Sequence, residues 1–493
     1  MKTRVLKISV ICAVLLSLVW ACKSDVKQEA SYLPLNVSST CKLTDTEFNT
    51  WFKTGTASEN GVVLPKNSVD FVHNNNCDFY KWSEQMFLWI TSPDTDGTYG
   101  GGNTVMESPV FYTITPKQNG VRKLIPHKKG QLLRAMANID LVRSINSEEA
   151  QATDDVLMDK NGNIVYYISM ANDVYAEYLT AQKNGKMSGN TFPTTGPARD
   201  SVVAYAAANG RIVRAPNTLA MELKTSWVVA ESLKNPEDYV IVEAIIPTYN
   251  KTPNAWTVSG ERKAKLALIG MHIVGSTDGH PEMVWATFEH ENCAPNAAYQ
   301  YIDDKGNTVT VAPDKRNDGW LLNSDVKDTA NVSHMYFASD SIKSRPGYTV
   351  SPSNTRRTKP WGSGYNMQPN AEDASPAAAN SEVLAINNAI RKYLPDGDVR
   401  KKYLFIGATW TDGGAGPLGT SYSPSLTTPG VAIGTSQLAN CSMETYIQNG
   451  STYSTNGSCF YCHSNSGGLE PGDLSHVYTA IIPLPNRKVV SIK

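Results

Sequence analysis

The chain has 493 residues, with 45 Lys and Arg against 46 Asp and Glu, a net charge of −1 at pH 7. That balance, with no long basic block, excludes nucleic acid as a partner. The length allows two or three domains with substantial cores, and beyond residue 20 no run of about 18 apolar residues could cross a membrane.

Lys2, Arg4 and Lys7 precede an apolar run over 8–20, too short for a comfortable membrane span. The run ends Val19-Trp20-Ala21-Cys22, followed by Lys23-Ser24-Asp25, which resembles a bacterial lipobox with an oversized Trp20. The expectation is a lipoprotein signal peptide over 1–21 and a lipidated Cys22, with a plain secretory signal as the alternative. Either way the mature protein is extracytoplasmic, in the periplasm or at the cell surface. Lipid on Cys22 would anchor it to a membrane. Residues 22–65 read as the lipidated N-terminus and its tether.

Phe79, Trp82, Met86, Trp89 and Ile90 recur at spacings of three and four and predict a helix over 77–90. Asp94-Thr95-Asp96-Gly97 and Gly100-Gly101-Gly102-Asn103 make a loop that lacks the remainder of a calcium-binding EF-hand. A strand over 110–115 and helical spacing over 132–150 follow. Asp159-Lys160-Asn161-Gly162-Asn163 is a hairpin signal, with β-formers after it. Helices are expected over 173–182, 198–209 and 226–233. Strands are expected over 239–249, 265–275 and 283–290, the last two as a central hairpin. The stretch 352–376 is rich in Pro, Ser, Asn and Arg and reads as a linker. Beyond it come a helix over 381–393, a strand over 403–410 and a helix over 437–448. The fold class is therefore α+β. A β-rich main domain (66–351) with scattered helices is followed by a small C-terminal region (377–493).

That region holds Cys459-Phe460-Tyr461-Cys462-His463, the C-x-x-C-H spacing by which a c-type haem is attached. Two thiols add to the haem vinyl groups, and the imidazole that follows becomes an axial ligand of the iron. With eight Cys and eight His in the chain, the pentapeptide is rare by chance. The expected cofactor is one covalent haem c. The plain alternatives are a Cys459–Cys462 disulfide, or a zinc half-site that lacks its second Cys pair.

Several motifs, taken together, look familiar. They are Asn76-Cys77-Asp78-Phe79 with Gln85-Met86-Phe87-Leu88-Trp89, Lys224-Thr225-Ser226-Trp227, Gly270-Met271-His272-Ile273-Val274, 281–290, and 440–448 with the haem motif. Over roughly 70–480 they resemble a family of exported bacterial proteins described as cytochrome c family or cytochrome c domain proteins. The resemblance implies haem rather than a particular substrate, because the family has no established reaction. Setting aside Cys12, Cys22 and the haem pair leaves Cys41, Cys77, Cys293 and Cys441, which allow three pairings. Cys293 and Cys441 stand where relatives carry other residues. Two such departures together imply a Cys293–Cys441 disulfide, and with it Cys41–Cys77. The strand ending at His290 would then lie against the segment before the haem.

Only 30 residues follow His463, none of them Met. The sixth iron ligand must therefore be Met443, His476, Met367 in the linker, or an open position. His272, His280 and His290 fall within nineteen residues. By parity, His272 and His290 would share a sheet face, where with Glu289 or Glu291 they could bind a metal or move protons. No Gly-x-Ser-x-Gly elbow or His-Glu-x-x-His helix supports a hydrolase. Two readings stand. One is an electron-transfer protein or oxidoreductase acting with a redox partner protein or a small-molecule substrate. The other is a surface or periplasmic binding lipoprotein.

Overall fold

The computed structural model describes residues 33–38, 41–135, 155–314, 319–324, 329–338, 341–362, 375–420, 428–435, 437–448, 459–464 and 467–485. The signal segment, Cys22, Met367 and most of the helical spacing over 132–150 lie outside them. Contacts separate Met1–Asn36 from Val37–Lys493, and the fold below is that of the second unit.

Helices α1 (Asp45–Thr50) and α2 (Asn76–Ile90) come first, then strands β1 (Phe111–Ile114), β2 (Leu124–Pro126), β3 (Leu133–Arg134) and β4 (Tyr166–Asn172). Helices α3 (Asp173–Lys183) and α4 (Gly196–Ala208) precede β5 (Met221–Val229), β6 (Ile241–Lys251), β7 (Ala255–Thr277) and β8 (His280–His290). Two hairpins follow, β9 (Tyr299–Ile302) with β10 (Thr308–Val311), and β11 (Met335–Ala338) with β12 (Ser341–Ser344). The chain ends with α5 (Pro376–Tyr393), β13 (Tyr403–Thr411), β14 (Ala432–Gly434), α6 (Cys459–Cys462) and α7 (Pro471–Leu474). Twelve strands form one sheet whose main path runs β14-β13-β8-β7-β5-β4-β1-β2, antiparallel at each step. The β-rich α+β expectation holds.

Capping explains where the long helices begin. The Asn75 side chain accepts the Asp78 N–H at 3.2 Å, and Asp78 itself sits in the positive first turn of α2. Ser375 caps α5, with Pro376 at its first position and Arg391 and Lys392 in its last turn. Both helices pack on one face of the sheet. Phe87 of α2 stacks on Phe288 with ring centroids 4.3 Å apart. On α5, Asn387 donates to the Phe405 carbonyl at 2.7 Å and accepts the Phe405 N–H at 2.9 Å. It thereby satisfies the backbone that a register shift between Phe405 and Gly407 leaves open.

Three expectations are corrected. Residues 226–229 continue β5, because Trp227 and Val228 are β-formers paired with Leu268 and Ala267, and only Ala230–Ser232 turns into a short 3-10 helix. Residues 437–448 form successive turns rather than a helix. There Asn440 Oδ1 accepts both the backbone N–H and the hydroxyl of Ser442, and Thr445 bonds back to the Cys441 carbonyl. Side chains that bond locally in this way compete with the helical ladder. No domain boundary follows 352–376 either: β13, beyond it, pairs with β8 from Tyr403 opposite His290 to Thr409 opposite Trp285. Composition marks 352–359 correctly as loop but carries no trace of a strand pairing across so many intervening residues.

Cys41 and Cys77 are joined, fixing the start of α2 to the segment before α1 across a sequence separation of 36. Replacing both by Ser should lower the unfolding free energy by about 3–4 kcal/mol through loop-closure entropy. The readout is the denaturant midpoint, and an unchanged midpoint would mean that the cross-link contributes nothing.

Candidate haem-attachment site

The register of the central strands decides which side chains meet. Across β4, β5, β7 and β8, one face carries the rows Ala171, Glu222, Val274, Trp285; Ser169, Lys224, His272, Thr287; and Tyr167, Ser226, Gly270, Glu289. This face is unusually polar for the interior of a sheet. It is covered by residues 440–448, 459–464 and 467–484, which supply the partners that buried polar groups require. Asn440 donates to Thr287 Oγ1 at 2.9 Å, Ser442 and Ser226 hydroxyls lie 2.6 Å apart, and the Tyr167 hydroxyl donates to the Ser442 carbonyl at 2.8 Å. A Cβ on Gly270 would fall 2.5 Å from Ser442 Oγ, so glycine is required there.

His272 Nε2 lies 2.9 Å from Glu444 Oε1. Burial pushes the Glu444 carboxyl up, but His272, the hydrogen bond to it and Lys224 together bring it below its ordinary value. His290 does not join them. Gly270 opposes Glu289 and His272 opposes Thr287, so even positions on β7 share a face with odd positions on β8. The same-face expectation for His272 and His290 is thus corrected: Glu289 is the residue that shares the His272 face. His290 stacks on Tyr239 at 3.8 Å and donates from Nε2 to the Asp238 carbonyl at 3.1 Å, a hydrogen-bonded sheet residue. His280 sits at the hairpin end, its Nδ1 2.7 Å from Glu282 Oε1. Asp94 closes its own loop by accepting the Tyr99 and Gly101 N–H groups at 2.9 and 2.7 Å.

The C-x-x-C-H residues lie at the Trp285 end of this face. Cys459 and Cys462 are a helical turn apart on α6, and the fully buried Phe460 anchors that turn among Trp285, Leu474, Val477 and Tyr478. Cys462 and Tyr461 face solvent, while Cys459 is half-buried, and its burial pushes the thiol up. His463 packs on Trp285 with ring centroids 4.5 Å apart. Its Nδ1 lies 2.9 Å from the Leu474 carbonyl oxygen. A carbonyl can only accept, so Nδ1 carries the proton and Nε2 presents its lone pair. Burial first, and then His476, hold this imidazole neutral well below its ordinary range, against the pull of the Leu474 carbonyl. The neutral ring, with one nitrogen held by a backbone carbonyl and the other free to donate electrons, is what an axial ligand requires. Loop 412–420 closes over the motif, and a Cβ on Gly416 would lie 1.7 Å from the Gly467 carbonyl oxygen.

Neither described candidate for the sixth ligand stands opposite His463. Met443 is fully buried in a different apolar cluster, with Ile269, Val165, Leu322 and Cys441. The His476 ring lies parallel to that of His463 with centroids 4.0 Å apart, and its Nε2–H donates to the Cys462 carbonyl at 3.0 Å. Two imidazoles on opposite faces of one iron, each bonded at about 2.0 Å, would have centroids roughly 6 Å apart. Zinc fares no better at this motif. Among the described residues, the side chains that gather ligand atoms within 4.8 Å of one another are Glu289, Cys293 and Cys441.

At that second cluster the Cys293 and Cys441 sulfurs are 2.8 Å apart and fully buried, though not bonded. This exceeds the disulfide bond length of about 2.05 Å. It falls well short of the separation of about 3.8 Å for two thiolates on a tetrahedral zinc. Glu289 bridges the backbone N–H of Cys441, at 2.7 Å, and the guanidinium of Arg357, which satisfies its charge without a metal. The expected juxtaposition of β8 with the segment before the C-x-x-C-H motif is therefore present.

Sequence reasoning missed Glu222, Trp285, Glu444 and Ser475 as neighbours of the motif. The alternation Glu222-Leu223-Lys224-Thr225-Ser226 was the available signal for a strand with one polar face.

Peptide mapping of oxidised protein under non-reducing conditions should recover Cys293 and Cys441 joined, and a free thiol at either would refute the pairing. A second expectation concerns acid. His290 is held down to about 3, chiefly by burial. Its neutral burial therefore contributes fully above 6.5 and is lost as pH falls from 6.5 towards 3, by about 1.4 kcal/mol per unit. The difference in urea-unfolding stability between wild type and His290→Gln should follow this slope from about pH 6.5 to about pH 5, because the other buried titrating groups cancel in the comparison. No family model, no curated protein and no solved structure matches this chain.

Proposed function

We propose that this chain is an extracytoplasmic, membrane-anchored redox protein bearing one covalent haem c. Cys459 and Cys462 are its attachment thiols and His463 its axial ligand. The observation that carries the reading is the His463 Nδ1–H bond to the Leu474 carbonyl, which leaves Nε2 available beside two thiols one turn apart. The expected acylation of Cys22 would hold the protein at a membrane. Bound at these residues, the haem would supply one-electron transfer or, with an open sixth side, binding and activation of a small molecule.

The chain's own residues have separate tasks. Phe460 fixes the motif in the core, the Leu474 carbonyl keeps the proton on Nδ1, and Trp285 excludes water from one side of the imidazole. Lys224, His272 and Glu444, half-buried beside the motif, are the groups a small polar substrate would meet. Among the described residues Met443 lies in another core and His476 on the His463 side; we therefore favour an open sixth position, which would suit an oxidoreductase, with Met367 as the alternative ligand.

The test is an absorption spectrum of full-length protein produced with a haem c maturation system, oxidised and then reduced. Bands that survive acid–acetone extraction are expected, with a high-spin oxidised spectrum that shifts on adding cyanide. A low-spin spectrum would assign a side-chain ligand such as Met367 and a carrier role. No covalent haem would overturn the reading in favour of a binding lipoprotein with a Cys459–Cys462 disulfide.

A further inference from the structure

The carbonyl that holds His463 belongs to a segment pinned to the sheet by a buried polar chain. Tyr175, fully buried on α3, places its hydroxyl 3.0 Å from Ser475 Oγ. Ser475 in turn donates to Glu222 Oε2 at 2.6 Å. Ser475 lies between two residues that touch the proposed axial ligand: Leu474, whose carbonyl accepts from His463, and His476, whose ring stacks on it. The rest of the segment is tied down separately, by Lys183 Nζ donating to the Tyr478 and Thr479 carbonyls at 2.7 and 3.0 Å and by the pairing of Arg122 with Ile481. At residue 475 itself, the side-chain anchors are the Tyr175 hydroxyl and the carboxylate of Glu222 on β5.

A carboxylate half-buried on this sheet face needs a reason to be there. Burial pushes the Glu222 carboxyl up, against the Ser475 hydrogen bond, His476, Tyr175 and Arg122. An apolar residue would pack beside Ala171 and Val274 at lower cost. What Glu222 supplies instead is a directional acceptor that fixes Ser475, and through it the orientation of the Leu474 carbonyl.

We infer that Glu222 and Ser475 are positioning residues for His463: together they hold the Leu474 carbonyl on Nδ1 and so set how strongly the imidazole donates to the haem iron. The role rests on the haem reading above. A second-shell acceptor raises the basicity of the ligand it binds, so loosening it weakens donation and favours the reduced state.

The experiment compares the haem-loaded full chain with its Ser475→Ala, Ser475→Thr and Glu222→Asp variants by potentiometric titration. Ser475→Ala should shift the oxidised-to-reduced balance roughly tenfold towards reduced, a rise of about 59 mV for one electron. Ser475→Thr keeps the hydroxyl and should restore the wild-type potential. Glu222→Asp withdraws the carboxylate by one methylene and should shift it in the Ala direction, which serves where the Ala variant does not fold. Wild-type potentials in both Ser475→Ala and Glu222→Asp, or a Thr variant that behaves like Ala, would overturn the assignment. Nitrogen-15 resonances of the histidine rings in haem-free protein separate this failure from that of the haem reading. A chain that takes up no haem refutes the haem reading. The Nδ1–H form of His463, present in the wild type and lost in Ser475→Ala, still supports the positioning role, whereas its persistence in that variant refutes it.

Discussion

Hydroxyls, carboxylates, an ammonium and an imidazole project from one face of β4, β5, β7 and β8, and such a face can be enclosed only by chain that brings matching donors and acceptors. Residues 440–448, 459–464 and 467–484 do this. Asn440 answers Thr287, Ser442 answers Ser226, Glu444 answers His272, and Ser475 answers Glu222. The segment that carries the C-x-x-C-H motif is thus a cover that the sheet requires rather than an appended module. Its conformation follows from the same requirement, since side chains bonding to the sheet and to their own backbone displace a regular helix over 437–448.

The opposite face obeys different physics. There α2 and α5 press apolar side chains onto the strands, as Phe87 does on Phe288, and burial of each large side chain is worth about 1.5–3 kcal/mol. Stability can therefore be concentrated under the helices while the polar face is left to position groups. The Glu289–Arg357 pair lies between the two concerns. Fully enclosed, it gains little over apolar packing, yet losing either partner would strand a charge. It ties β8, the loop at 357 and the Cys441 backbone into one arrangement, which fits a role in fixing geometry more than in adding stability.

At the motif, covalent spacing and tertiary placement contribute separately. Two thiols three residues apart on a turn of helix are a local property of the sequence. The tautomer of His463 is not local, since it depends on a carbonyl eleven residues later, on Trp285 from β8, and on a Ser475–Glu222 bond reaching across to β5. A neutral, oriented imidazole is thus an outcome of the whole fold.

The sequence by itself determined the C-x-x-C-H motif, the α2 and α5 helices, the strands around 241–290 and the loop character of 352–362, because each depends on residue type and short-range period. The Cys41–Cys77 disulfide was also foreseen, and so was the approach of Cys293 to Cys441, though that pair was expected as a disulfide and is unbonded here; both came from resemblance rather than from periodicity. Only the tertiary structure decided that β13 joins β8, that Glu444 comes to lie on His272, and that Met443 is enclosed away from the motif. Strand register is the physical reason. A slip of one residue exchanges the two faces of a sheet; between β7 and β8 the parity follows from the two-residue Asp278-Gly279 turn that sets Thr277 opposite His280, whereas no local pattern sets β13 against β8.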